Sequence, residues 1–261
     1  MGTPATLPGG CRILLTRARE GIAGWAEQIE DAGAHAVALP CIVCEPIRSA
    51  ELGAQLEAAI ESADWLVFTS ARGVANVAEL LPPQASLPGR THVAVVGPVT
   101  EGAAMECWDR VDLVAPAGTA ASLAEALIPL LSDGQKDGPA SVVIAGPAEA
   151  RPGLEQRLAG TGAQTHHFPV YRTVPVSLGE TRQDLAAWNL DAIFVASPSA
   201  VQGLLNQALV PPGVPLISIG PSTTQAAAEA GLTVSAEATN RSLEGLLSAL
   251  RDTVAHVESR P

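Results

Sequence analysis

The stretch His166–Val176, HHFPVYRTVPV, decides how the chain is divided. It follows a helix-like segment and reads as a β run. Pro169 and Pro175 punctuate it, and Tyr171, the one tyrosine of the chain, stands beside Arg172. A similar stretch, ALPCIVCEPI at Ala38–Ile47, holds the same place in an earlier copy of the same pattern. Each run is too long and too proline-marked for one ordinary strand, and a polar stretch without strand character follows it. Both are read as crossings between two domains, running in opposite senses and expected to pair as a short antiparallel ladder.

Setting the chain against itself exposes the copies. CRILLTRAREGIAGWAEQIEDAGAHAVALPCIVCEPI from Cys11 and SVVIAGPAEARPGLEQRLAGTGAQTHHFPVYRTVPV from Ser141 share strand, turn, amphipathic helix, glycine, strand and proline in that order. DWLVFTSARGVANVAELLP from Asp64 and DAIFVASPSAVQGLLNQALVP from Asp191 continue the match, and so do the segments from His92 and from Pro215. Apolar runs mark strands at Ile13–Leu15, Trp65–Phe68, Val93–Val96 and Leu113–Val114. In the second copy they stand at Val142–Ala145, Ile193–Ala196, Leu216–Ile219 and Thr233–Ser235. Such runs, alternating with helical patterns, belong to parallel sheets covered on both faces, so the fold class is α/β. With crossings at the proline-marked runs, domain 1 comprises residues 1–40 and 175–261. Domain 2 comprises 41–174, with linker strands at about 41–47 and 168–174. Each domain then has five strands, enough for a flavodoxin-like sheet of order 2-1-3-4-5, and a ligand cleft is expected between the domains at the carboxyl ends of the strands.

Composition narrows the function. A chain of 261 residues that is 47% hydrophobic supplies real cores. A net charge of −12 with a single lysine, Lys136, argues against an electrostatic grip on nucleic acid or anionic lipid. An aromatic content of 3% argues against base-stacking surfaces. MGTPATLPGG at the start lacks a signal-peptide pattern, and no run reaches the ~18 apolar residues of a membrane span. The expectation is a cytoplasmic protein with neither nucleic-acid nor membrane partners. Four cysteines make no disulfide framework. Cys41 and Cys44 fall three apart in a β run, face opposite ways and read as small hydrophobes, so no metal is expected. His166 and His167 also face opposite ways; they read as structural or exposed, with one able to border the cleft. Nucleotide and serine-hydrolase motifs are absent, and no cofactor is expected.

The chemistry that remains sits at strand ends. Gly97-Pro98, Gly146-Pro147, Ser197-Pro198 and Gly220-Pro221 each follow an apolar strand, and proline suits the first turn of a helix. Around these turns lie Thr16 and Arg17, then Thr69, Ser70 and Arg72, then Thr100 and Arg151. Ser197, Ser199, Ser222 and Thr223 complete the set. Helix capping alone accounts for many of the hydroxyls. An open helix N-terminus beside a hydroxyl is also a seat for a carboxylate, and several such turns suit a ligand with several carboxylates. Arg17 and Arg151 are candidate carboxylate partners, and Ser222 is a candidate contact. Tyr171 reads either as a core residue with a satisfied hydroxyl or as a proton donor to a leaving group.

These residues resemble the uroporphyrinogen-III synthase family. The matching pieces are LLTRAREG at 14–21, FTSARGV at 68–74, VVGPVT at 95–100, the pattern from Pro116 to Leu123, VYRT at 170–173, FVASPSAV at 194–201 and IGPSTTQAAAEAG at 219–231. The resemblance implies two flavodoxin-like, three-layer α/β domains with parallel five-stranded sheets, joined by a two-stranded linker. It implies a cofactor-free hydro-lyase that closes hydroxymethylbilane into uroporphyrinogen III, inverting the last pyrrole ring with loss of water. Tyr171 then assists departure of the hydroxyl, while Thr16, Ser70, Ser197, Ser199 and Thr223 contact acetate and propionate arms. The implied partner is hydroxymethylbilane, delivered from the preceding deaminase to a monomeric enzyme. Ala18 stands where the family has proline, and Gln225 replaces an arginine of the Gly-Pro turns. The rival reading is a non-catalytic two-domain protein that binds a tetrapyrrole or another small molecule.

Overall fold

The computed structural model describes residues 7, 9–83, 85–133, 138–149, 153–177 and 181–258. The chain begins β1 (Arg12–Leu15), α1 (Arg19–Asp31), β2 (His35–Ala38), β3 (Ile42–Pro46), α2 (Ala50–Ser62), β4 (Trp65–Phe68) and α3 (Ala71–Leu80). It continues β5 (His92–Val95), α4 (Pro98–Trp108), β6 (Leu113–Val114), α5 (Ala120–Asp133), β7 (Ser141–Pro147), α6 (Gly153–Ala159) and β8 (Gln164–Pro175). Then come β9 (Gln183–Asp184), a 3₁₀ turn, β10 (Ala192–Val195), α7 (Pro198–Gln207) and β11 (Ala208–Leu209). The last elements are β12 (Leu216–Ser218), α8 (Pro221–Glu229), β13 (Ala236–Glu237) and α9 (Leu243–Glu258).

Two compact units result: residues up to Cys44 with those from Val174 onward, and Glu45–Thr173. The chain therefore changes unit twice, within β3 and within β8.

In the first unit the sheet order is β13-β12-β10-β1-β2, and every neighbouring pair is parallel. Numbered along the chain, its strands read 2-1-3-4-5 from the β2 edge. Side chains alternate between the two faces. Ile13, Leu15, Phe194 and Ile217 pack with Ile22 and Ile29 of α1 and with Leu246 and Leu250 of α9. Leu14, Ile193, Val195 and Leu216 pack with Val201 and Leu204 of α7 and Ala227 of α8. Burial on both faces explains why these strands read as unbroken apolar runs.

The second unit has the order β3-β8-β7-β4-β5-β6. On one face Trp65, Val67, Val142 and Ile144 pack with α5 and α6 through Leu123, Leu127, Leu154 and Leu158. On the other, Phe68 stacks on Trp108 of α4 at 5.7 Å.

Two expectations are corrected. The second sheet has six strands, not five, because the crossing segment β3 joins it as a neighbour of β8. β8 is moreover a single strand of 12 residues rather than a sheet strand plus a separate linker. Its first half pairs in register with β7 as far as Gly146↔Pro169, where the register shifts. Beyond that point β7 still reaches Tyr171, with the Ala148 N–H donating to the Tyr171 carbonyl at 2.7 Å, while the chain after β3 pairs on the other side, the Ile47 N–H donating to the Val170 carbonyl at 3.0 Å. Hydrogen bonds on both sides of the strand at Val170 and Tyr171 carry it past Pro169. The other correction concerns Thr233–Ser235, which is not a strand; β13 is Ala236–Glu237. After α8 the chain reverses at Gly231 with φ +79°, and Leu232–Ser235 are spent reaching the edge of β12, so pairing starts only at Ile217↔Ala236.

Cys41 is fully buried, and its thiol, pushed up to about 12 by burial, donates to the Leu39 carbonyl at 3.1 Å. Its own carbonyl accepts the Val176 N–H at 2.8 Å and lies against Gly203 of α7 so closely that a Cβ there would collide with it. Gly203→Ala is therefore expected to destabilise the protein by about 3 kcal/mol, read as a lowered urea midpoint; an unchanged midpoint would mean that α7 is free to move away from the crossing.

On the second unit, Asp112 accepts from the Val93 N–H at 2.7 Å, His92 Nδ1 at 3.2 Å and Arg110 Nε at 3.0 Å. Burial alone would raise its carboxyl, but these donors outweigh burial and hold it below 3.8. A depressed carboxyl contributes stability above its unfolded value and loses it as pH falls through the folded one. Asp112→Asn should thus be less stable than the parent near neutral pH, with the gap closing below pH 3.8; a gap independent of pH would refute this account.

Candidate active site

In both units the strand-to-helix turns put helix N-termini and short hydroxyl side chains at the carboxyl edge of a parallel sheet. In the first unit, Ser197 caps α7 by accepting the Ala200 N–H at 3.1 Å, and its hydroxyl also meets that of Ser199 at 3.1 Å. α1 and α8 lack any side-chain cap, their cap residues being Ala18 and Gly220, so their first N–H groups are not taken up by a capping hydroxyl. Arg17 stands at the start of α1 with its guanidinium 4.0 Å from the centroid of Trp25, and burial pulls it below the usual arginine range. Among the described residues it has no carboxylate partner. A desolvated cation beside an uncapped N-terminus favours an anion.

Thr16 and Thr223, which the resemblance implies as contacts to acetate and propionate arms, are both buried. Thr16 is completely buried and donates to the Phe194 carbonyl at 2.8 Å, tying β1 to β10, and Thr223 is 1% exposed. Both follow from the register: each is the residue at which an inward-facing position of the strand or helix meets the sheet. Ser222 remains half-exposed. Gln225 points along its own helix to Glu229 at 2.8 Å.

Arg241, which motif reading passed over, lies at the same edge. A Cβ at Gly220 would stand 3.4 Å from its Nε, so its side chain crosses the Gly220-Pro221 turn at the open end of α8. No carboxylate pairs with it among the described residues. Nothing local in the sequence marks it, because it arrives from the loop after β13.

The second unit joins two of the candidates directly. Ser70 caps α3, accepting the Gly73 N–H at 3.1 Å, and its Oγ is 3.1 Å from the Tyr171 hydroxyl. Arg72 stands over the Tyr171 ring, 5.7 Å from its centroid. Tyr171 is 8% exposed, with its ring buried and its hydroxyl held on the cap of a helix. The bulge at Gly146/Pro147 turns it there, since Pro147 pairs with Tyr171 rather than with Val170. Arg151 lies outside the described residues.

A family model described as Uroporphyrinogen-III synthase HemD matches residues 23–248. A Methanothermobacter thermautotrophicus protein named "Putative uroporphyrinogen-III synthase" is 30% identical over 234 residues, covering 85% of this chain and 90% of its own. Among solved structures, the uroporphyrinogen-III synthetase of Helicobacter pylori superposes with a TM-score of 0.59 at 18% identity, covering 96% of this chain and 100% of that one. A mutant uroporphyrinogen III synthase of Thermus thermophilus gives 0.52 at 19% identity, with 95% and 100% covered. These two likenesses show the fold, α/β with parallel sheets.

Replacing Ser70 with alanine removes both the cap of α3 and the partner of Tyr171. A loss of about 1 kcal/mol is expected from denaturant unfolding, clearly more than for Ser199→Ala, which caps nothing; equal effects would show that the cap contributes little.

Proposed function

The chain belongs to the uroporphyrinogen-III synthase family, and on that premise we propose how its residues carry the reaction. The reaction is closure of hydroxymethylbilane to uroporphyrinogen III in tetrapyrrole biosynthesis, with inversion of the last ring and loss of water. The family match along most of the chain carries this reading.

The two units correspond, in this proposal, to two flavodoxin-like domains, each a parallel sheet between helical layers, with the crossing strands as linker. The enzyme works as a cytoplasmic monomer and receives the bilane from the deaminase that makes it. Its substrate is a polycarboxylate, so holding it requires local positive potential on a chain whose net charge is −12. Uncapped helix N-termini and Arg17 and Arg241, which have no carboxylate partner among the described residues, supply that potential, with Ser197, Ser199 and Ser222 as neutral donors. Thr16 and Thr223 serve the geometry of the turns rather than the ligand.

Tyr171 is the proton donor. As the carbon–oxygen bond of the hydroxymethyl group breaks, the departing oxygen takes the phenolic proton and leaves as water. The Arg72 guanidinium over the ring favours the negative charge that develops on the phenolic oxygen, and Ser70 holds that oxygen in place. Loss of water leaves an azafulvenium cation, and the substituted carbon of the last ring attacks its methylene carbon to form a spiro intermediate. The older bond from the substituted carbon to its methylene bridge then breaks and re-forms at the free α carbon, whose proton returns to the tyrosinate. Positioning decides between this attack and the closure that gives the I isomer.

The test is to generate hydroxymethylbilane in situ, add the protein, oxidise the products and separate the uroporphyrin isomers. Mostly III isomer is expected; mostly I isomer, with or without binding of the bilane, would overturn the synthase reading and leave a binding protein at most. In the same assay Tyr171→Phe should lower the rate roughly 10–100-fold, below the ~10²–10⁴ of a full general acid, because positioning survives. An unchanged rate would remove Tyr171 as donor.

A further inference from the structure

The end of β7 anchors both halves of the Ser70–Tyr171 pair. On one side lies the first turn of α3: a Cβ at Gly73 would stand 3.0 Å from the Ala145 carbonyl oxygen, so the absent side chain lets Ser70 and the cap it forms come this close. On the other side β8 is tied to the same strand end, with Tyr171 opposite Pro147 and its carbonyl accepting the Ala148 N–H at 2.7 Å. The 3.1 Å between Ser70 Oγ and the Tyr171 hydroxyl depends on both attachments.

β7 stops at Pro147, level with Tyr171, whereas β8 runs on to Pro175. In a parallel ladder, a residue that donates its N–H to one residue of its neighbour accepts at its carbonyl the N–H of the residue two places further on. Ala148 makes the first of these bonds, to Tyr171, just beyond the end of β7. Where the second would fall, the Thr173 N–H donates to the Glu149 carboxylate at 3.1 Å. A side chain thus adds a rung to the ladder past the tyrosine, and Tyr171 lies between two tethers instead of at a fraying end. The Glu149 charge stands at the edge proposed to receive a polycarboxylate and adds nothing to that binding. What it supplies to the strand is a charge-assisted acceptor.

We infer that Glu149 is a positioning residue for Tyr171. It acts through the β7–β8 ladder to hold the phenol on Ser70 and beneath the Arg72 guanidinium, where the proton is given up. The inference rests on the reading of Tyr171 as proton donor. Without the second tether the strand pivots about the Ala148–Tyr171 bond, and a small rotation there is enlarged at the phenolic oxygen, the far end of the side chain. Displacement of a reacting group on that scale lowers the rate without unfolding anything.

Tyr171 is the one tyrosine of the chain, so protein made with tyrosine carrying ¹³C at Cζ gives a single resonance for the phenol. Ser70→Ala provides the reference for a phenol that has lost its partner. Glu149→Ala should move the resonance toward that reference position, while Glu149→Gln, whose amide oxygen accepts the same N–H, should leave it where the parent has it. In the bilane assay Glu149→Ala should lower the rate about fivefold, with Glu149→Gln within about twofold of the parent. In a Tyr171→Phe background Glu149→Ala should cost nothing more, because the proton it helps to place is gone; a general loss of active protein would lower both backgrounds alike. A resonance unmoved by Glu149→Ala overturns the inference. So does an equal loss in both backgrounds when Tyr171→Phe is itself impaired. If the resonance moves as expected while Tyr171→Phe keeps the parent rate, the hold on Tyr171 is supported and the donor reading is what fails.

Discussion

One helix holds both places where the chain leaves the first unit and returns to it. α7 meets the outgoing segment through Gly203, whose missing side chain admits the Cys41 carbonyl, and through Gln207, whose amide donates to the Pro40 carbonyl at 3.0 Å. It meets the returning segment through Asn206, which donates to the Val176 carbonyl at 3.2 Å. The two segments are tied to each other by the Val176 N–H on the Cys41 carbonyl. Cys41 is fully buried, so its carbonyl would otherwise lack a partner, and the contact with Gly203 leaves that segment little room to adjust. The same helix begins at Ser197, one of the candidate contacts. Its N-terminal end serves the carboxyl edge while its C-terminal half anchors the crossings.

Polycarboxylate chemistry on an acidic protein requires that charge be handled locally. In the proposed site the positive potential is assigned to the ends of helices and to Arg17 and Arg241, which have no carboxylate partners among the described residues, and not to a field over the whole surface. Arg17 stacks on Trp25 in a partly desolvated position, and Arg241 reaches across the turn at Gly220. The Ser70–Tyr171 pair belongs to the same economy, since one hydroxyl caps a helix and holds the oxygen that the proposed chemistry uses.

Much of the fold was legible because parallel strands buried on both faces must be apolar throughout. Trp65–Phe68 and Leu113–Val114 are read from composition alone, and they are strands with those bounds. The strand at Thr233–Ser235 failed because a short edge strand with half-exposed residues carries no such signal; only its register with β12 locates it. The second sheet gained β3 because pairing of a proline-marked segment with β8 depends on where the ladder finds partners, not on the segment's own propensity. In the candidate site, Ser70 and Ser197 were marked by strand-turn-helix motifs and Tyr171 by its place in the proline-marked β run. Thr16 carried the same mark yet turned inward, since one residue's difference in register separates a hydroxyl that faces solvent from one that bonds the next strand.

By itself, then, the sequence determined the repeat, the βα alternation, the helix starts and the family. All of these rest on periodicity and on residue types at fixed local spacing. Only the tertiary structure decided that Arg241 crosses the Gly220 turn, that the bulge beside Gly146 brings Tyr171 onto Ser70, and that His167 Nε2 is buried with no hydrogen-bond partner among the described residues. Those outcomes join residues far apart in the chain, and they depend on register, on a bulge and on the room left by a glycine, none of which a local pattern encodes.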